Sequence, residues 1–207
     1  MELDILFSFI GTAILLAFMP GPDILFVLTE SLSKGKRTGI SIAMGLVSGI
    51  ILYTVAVATG LALVIQNSPL VFSIIKSAGA IYLAWLAYKA LGEKPIRIKN
   101  TTENQNNNKS SFIKLYRKGL IMNLLNPKVL LFFIAFFPQF VRPTGFSAMT
   151  QILLLGTIFM FSAFGVFVLV AFMASRFTLT LNQPKFWSIT KYTKAVVLFG
   201  LAIFILI

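Results

Sequence analysis

The chain of 207 residues contains no cysteine and no histidine, and its six acidic residues face eighteen lysines and arginines. Without cysteine there is neither a disulfide framework nor thiol chemistry, and without histidine the chain lacks the commonest metal ligand and the side chain that titrates near neutral pH. The acids are Glu2, Asp4, Asp23, Glu30, Glu93 and Glu103, too few and too scattered for a divalent-metal cage or a general acid–base pair. Metal transport and metalloenzyme chemistry are poor readings, no cofactor is expected, and no nucleophile and base mark an enzyme. Charge is scarce altogether. Only 12% of residues are charged and 57% are hydrophobic, whereas a water-soluble domain carries roughly twice that share of charge. With a mean hydropathy of +0.90, the composition is that of an all-α integral membrane protein in contact with lipid.

The net charge of +12 does not point to nucleic acid, because the cations lie between apolar runs and not on one face of a soluble fold. They serve as topology signals. The N-terminus is apolar from Leu3 onward but has Glu2 and Asp4 where a signal peptide carries Lys or Arg, so the first run is expected to be a retained span. With about 20 apolar residues needed to cross a bilayer, spans are expected near residues 5–31, 39–65, 70–91, 113–137, 147–173 and 189–207. The connections are Ser33-Lys34-Gly35-Lys36-Arg37, Gln66-Asn67-Ser68-Pro69, the polar stretch from Gly92 to Ser111, Pro138 to Gly145, and Arg176 to Ser188. Residues Asn100 to Ser111 include Gln105-Asn106-Asn107-Asn108 and cannot bury enough apolar surface to fold. This divides the chain into a first three-helix repeat (1–91), a polar basic cytoplasmic linker (92–112) and a second three-helix repeat (113–207).

Short cytoplasmic loops retain Lys and Arg. Lys34, Lys36 and Arg37 lie in the first connection; Lys89, Lys94, Arg97, Lys99, Lys109, Lys114, Arg117 and Lys118 lie in or beside the third; Arg176, Lys185, Lys191 and Lys194 lie in or beside the fifth. The opposite side has only Arg142, while Lys76 and Lys128 fall within spans. Both termini are therefore expected outside the cytoplasm. Three spans on each side of the linker make the two halves inverted, a construction common in secondary transporters, whose broken helices meet near the midplane.

The first and fourth spans are interrupted, by Pro20-Gly21-Pro22 followed by Asp23 and by Asn126-Pro127 followed by Lys128. Proline has no N–H to donate and clashes with the carbonyl one turn back, costing about 3 kcal/mol in a helix interior. In lipid the freed carbonyls need partners, so such backbone persists where protein or a water-filled cavity covers it. A packed bend without function is the plain reading of one such break, and two at corresponding depths favour a site. Asp23 and Lys128 each face an insertion cost of about 2.5–3.5 kcal/mol near the bilayer centre. Two readings stand open: a mutual salt bridge holding the broken helices together, or a working role in transport, as a clamp for the two charged ends of a zwitterion or with Asp23 binding and releasing a proton during exchange. Asn123 and Asn126 offer amides one turn apart to a polar ligand or to the freed backbone, with helix capping the likelier role for Asn126. The candidate substrate-binding set is thus Pro20, Gly21, Pro22, Asp23, Asn123, Asn126, Pro127 and Lys128. Ser41, Gly45 and Gly49 recur every four residues as a small-residue stripe for close helix packing, against the broken first helix or a second subunit in a homodimer. Lys76, nearer a membrane edge, can carry its ammonium to the interface. The cluster Phe132, Phe133, Phe136, Phe137 and Phe140 reads as lipid-facing or core packing before it reads as a ligand cage.

These elements together resemble the LysE/RhtB-type family of bacterial amino-acid exporters, over essentially the whole chain. The resemblance rests on Pro20-Gly21-Pro22-Asp23, on Gly35-Lys36-Arg37-Thr38-Gly39 leading to Gly45 and Gly49, and on Asn123-Leu124-Leu125-Asn126-Pro127-Lys128 with Phe136-Phe137-Pro138-Gln139-Phe140. It implies a small inner-membrane exporter of amino acids or their derivatives, driven by the proton gradient. It also implies that Asn serves where this chain has Asp23, favouring a binding or helix-end role over an obligatory proton carrier. The competing readings are an exporter of another small polar metabolite, a passive channel, for which intramembrane polar residues are few, and a membrane scaffold that transports nothing. A topology reporter fused after Ile207 is expected to be active only when it responds to the non-cytoplasmic side; activity confined to the cytoplasm would overturn this orientation.

Overall fold

Two prolines determine where the first and fourth apolar runs change direction. A proline at the first helical position loses nothing, because that N–H has no partner within the helix anyway, so each break is also a helix start. A computed structural model describes residues 3–19, 21–61, 69–93, 111–142, 144–181 and 183–206. Pro20, the turn at 66–68 and the polar linker from 94 to 110 lie outside the described residues.

Helix α1 (Leu3–Phe18) stops ahead of the first break, and α2 (Pro22–Lys34) begins on Pro22 with extended Gly21 as its N-cap. The axes bend by 56°. After the turn at Gly35, α3 (Lys36–Ala56) runs into one π-helical turn at Val57–Leu61. Helix α4 (Pro69–Leu91) follows; its 23 residues reach about 34 Å at the α-helical rise, enough for a bilayer core. Helix α5 (Phe112–Leu124) ends at the second break, and α6 (Pro127–Leu131) continues through a π turn (Phe132–Phe136) and a 3₁₀ turn (Phe137–Phe140). The bend there is 51°. Helices α7 (Ala148–Leu181) and α8 (Pro184–Leu206) complete an all-helical molecule with no strand among the described residues. Three of these helices are long and apolar enough to cross a membrane, or five when each bent pair counts as one span.

One expected boundary is corrected. The span at 147–173 and the polar connection from Arg176 to Ser188 are largely one helix, since α7 runs on to Leu181 and α8 starts at Pro184. No proline interrupts residues 148–181, and leaving the apolar layer does not oblige a helix to end, because its hydrogen bonds are internal.

Helix α3 forms the centre of the packing, lying against both α5 and α7, while α4 pairs with α8. The approach of α3 to α5 depends on glycine. A Cβ at Gly45 would sit 2.8 Å from the backbone nitrogen of Leu120 and closer still to the carbonyl oxygen of Tyr116, and one at Gly119 would sit 3.1 Å from the backbone nitrogen of Leu46. Gly49 makes room for Asn123, whose Cβ would be 2.8 Å from an added Cβ. The glycines of the small-residue stripe therefore receive α5, and neither the broken first helix nor a second subunit is needed to fill it. Ser41 has a different role, since its hydroxyl donates to the carbonyl of Arg37 on its own helix at 3.0 Å.

The phenylalanines settle into the core. Phe132, Phe133, Phe136, Phe137 and Phe140 are all buried, with Phe9 of α1 edge-on to Phe137 at 5.3 Å and to Phe140 at 5.0 Å, and Phe159 of α7 4.7 Å from Phe132. Aromatic pairs at these separations add to area burial, so the cluster is packing and not a ligand cage. Gly45→Ala is expected to push α3 from α5 and cost on the order of 1–3 kcal/mol, measured as a lower Tm in detergent. Ser41→Ala, which loses one local bond, is the matched control and should change little.

Candidate functional site at the helix breaks

A broken helix leaves carbonyls at its C-terminal end and N–H groups at its N-terminal end without partners. In this chain the ends of one break are satisfied from the other. The Lys128 ammonium, at the start of α6, donates to the carbonyl oxygens of Leu16 and Met19 at the end of α1, each at 3.3 Å. It also lies 3.3 Å from Asp23 Oδ2 in the first turn of α2. Two of the three N–H donors of the lysine are thus spent on backbone carbonyls, with the carboxylate held beside them as its ion-pair partner. The cation stands at the negative end of α1 and the carboxylate at the positive end of α2, the favourable sense for both helix dipoles. The mutual salt bridge, one of the two readings of these charges, is thus formed in this conformation, with side-chain exposures of 9% for Lys128 and 3% for Asp23.

Gly21 is part of this arrangement. A Cβ there would lie 2.6 Å from Asp23 Oδ1 and 3.3 Å from Lys128 Nζ, so the carboxylate folds back over the glycine. Asn126 is the N-cap of α6, its side-chain oxygen accepting from the backbone N–H of Lys128 at 3.1 Å. That is the capping role expected of it. The end of α5 is satisfied by a residue the sequence reading missed: the Tyr53 hydroxyl of α3 donates to the carbonyl of Leu124 at 2.7 Å, and its ring stacks on Phe133 at 5.6 Å. A tyrosine within an apolar run carries no signal of its own; only its pairing with a distant helix end reveals it.

Not every polar atom at the breaks is satisfied. Asp23 Oδ1, Asn126 Nδ2 and Asn123 Oδ1 are buried and have no hydrogen-bond partner among the described residues. Such atoms cost roughly 1–3 kcal/mol each when left unpaired in an interior. Two acceptors and one donor thus remain open. A cleft of about 380 Å³ opens beside the two breaks, lined by Pro22, Lys118, Ile121, Met122, Leu125, Asn126 and Pro127, a volume suited to a small molecule.

Of the sequence-derived candidates, Pro22, Asn126 and Pro127 line this cleft, and Asp23 and Lys128 follow two of them in the chain and are buried. Asn123 is turned to Gly49 of α3, and Pro20 lies outside the described residues. Lys118, Ile121, Met122 and Leu125 were not singled out from the sequence. Their spacing of three, four and seven residues along α5 was the available signal, since it puts them on one helix face that ends at the break.

The chain matches a family model described as "LysE type translocator" over residues 14–207. It is 32% identical over 165 residues to the leucine efflux protein of Enterobacter sp. (strain 638), covering 77% of each chain. It is 30% identical over 182 residues to the homoserine/homoserine lactone efflux protein of Salmonella typhimurium, covering 86% of this chain and 84% of that one. A third relative, the uncharacterized membrane protein YrhP of Bacillus subtilis, is 28% identical over 203 residues and 96% of each chain. No solved structure matches.

Lys128→Met would leave a buried carboxylate and two carbonyls without their donor, and removing one partner of a buried pair costs about 3–5 kcal/mol. The expected result is a large fall in Tm in detergent, with Asp23→Asn added to Lys128→Met recovering part of it because the uncompensated charge is gone.

Proposed function

The chain belongs to the LysE-type translocator family, and from that premise we propose that it exports small amino acids or their derivatives from the bacterial cytoplasm by alternating access. The single observation that carries this reading is the convergence of both helix breaks on one buried ion pair, with unpartnered polar atoms around it and a cleft alongside. An α-amino acid presents an ammonium and a carboxylate on the same carbon. Its ammonium complements Asp23 Oδ1, its carboxylate complements Asn126 Nδ2, and an apolar side chain is at home against Ile121, Met122 and Leu125. In this reading Asp23 and Lys128 satisfy each other in the absence of substrate, and a bound zwitterion takes over part of that pairing as the halves move.

Counting α4 as a span gives six, in two inverted halves, and the similar bends of 56° and 51° support that symmetry. The distribution of Lys and Arg supports an inner-membrane protein with both termini outside the cytoplasm. Helices α2 and α5 then lie on the cytoplasmic side of the breaks, and the cleft between the breaks and Lys118 opens inward. Export against a gradient needs an energy source, which we assign to the proton gradient. Lipid is the surrounding partner, and the homodimer is retained as a proposal on the exposed faces of the bundle.

Preloaded proteoliposomes test this directly. Wild-type protein should show saturable counterflow of leucine or homoserine, dependent on internal unlabelled amino acid. Compared at equal amounts of inserted, folded protein, Asp23→Asn should lower the rate by about tenfold or more, as expected for loss of a charge-assisted contact. Full transport by folded Asp23→Asn and Asn126→Ala variants would refute the site.

A further inference from the structure

The cleft has one cationic side chain in its wall, Lys118, and that residue stands midway along α5, the lining residue of that helix farthest from the break. From Lys118 to Leu125 is two helical turns, about 10 Å. Directly across, Pro22, Phe26 and Glu30 recur every four residues on one face of α2. Pro22 forms part of the cleft wall, the Lys118 ammonium lies 4.2 Å from the centroid of the Phe26 ring, and it lies 3.6 Å from Glu30 Oε1. The bridge from Lys118 to Phe26 and Glu30 therefore spans the two half-helices at the mouth of the cleft.

The bridge is built to let go. At 3.6 Å the contact is longer than a charge-assisted hydrogen bond, and the Lys118 side chain is 56% exposed, so water already shares it. Glu30 has a second cation: its other oxygen, Oε2, pairs with Lys34 on its own helix at 2.8 Å. Releasing Lys118 leaves no acid unpaired. Lys128 differs on every count, being buried, paired with Asp23 and tied to backbone carbonyls. Among the residues lining the cleft, Lys118 is thus the one cation that can exchange its partner.

Resting on the reading that the cleft takes an amino acid, we propose that Lys118 is the entry residue for the substrate carboxylate, and that Glu30 holds its place until substrate arrives. An incoming carboxylate replaces Glu30 on Lys118, and Glu30 falls back on Lys34. The substitution opens the bridge between α2 and α5. Lys118 lies about two helical turns along α5 from the break, so the contact is a first station, passed before the breaks. Recognition at this station favours a carboxylate, so acids enter more readily than amides of the same shape, which pass without its help.

The test is counterflow of leucine and homoserine, each against its carboxamide, in proteoliposomes of the full chain. Lys118→Met should raise the KM for the acids about tenfold, the worth of one charge-assisted contact, and leave transport of the amides no worse. That retained amide transport also shows that the variant has folded; should Lys118→Met fail to insert, Lys118→Gln reads the same ratio. The exchanged pair, Glu30→Lys with Lys118→Glu, rebuilds a bridge but puts a carboxylate in the wall, and the KM for the acids should stay high. Restoration by the exchanged pair, or equal losses of acid and amide in Lys118→Met, would overturn the inference while wild-type counterflow stands. Absence of wild-type counterflow for any amino acid would remove the transport reading and this inference with it.

Discussion

The contact on which the rest of the structure depends is the Lys128 ammonium set against the end of α1. A helix that stops inside an apolar layer exposes carbonyls that no water can reach, and each such group is costly. Lys128 donates to the carbonyls of Leu16 and Met19 and forms an ion pair with Asp23. The charge of Lys128 is itself tolerable only because Asp23 is there, and Asp23 fits only because Gly21 has no side chain. Five residues from two distant breaks therefore depend on one another. That mutual dependence joins the first and fourth spans at their weakest points.

Around this junction the packing is unequal. On one side, Phe9, Phe159 and the phenylalanines from 132 to 140 form a dense aromatic core, and glycines 45, 49 and 119 bring α3 and α5 into backbone contact. Such interfaces resist small deformations, since a close-packed interior has few intermediate arrangements. On the other side α2 and α5 diverge from the breaks around a cleft and are bridged at its mouth by Lys118, Phe26 and Glu30. The two sides differ in their charges as well: α2 and α5 are bridged by an exposed cation, whereas the breaks are joined by a buried ion pair.

Much of this was legible in the residues. The apolar runs, the two breaks and the imbalance of Lys and Arg are local facts, because span length, proline geometry and loop charge are read one segment at a time. The phenylalanine cluster was expected as packing and is packing, and Asn126 was expected as a cap and is one. What the residues left open was which of two roles Asp23 and Lys128 play, since a pair 105 positions apart in the chain has no spacing rule. Tyr53 and the face from Lys118 to Leu125 went unmarked for the same reason: each is unremarkable in its own helix and acquires a role from a different one. Near residue 176 polarity suggests a connection, but the backbone has no cause to stop there and α7 continues to Leu181.

The sequence by itself determined that this protein lives in lipid, where its helices break, and which family it resembles, because these follow from composition, from the chemistry of proline and from ordered motifs. The tertiary structure decided which charge answers which helix end, which half of the fourth span fills the glycine stripe, and that a cleft opens beside the breaks. The physical reason is that hydrogen-bond satisfaction in a membrane is settled between segments: a carbonyl freed by one proline is answered by whichever donor the fold carries to it.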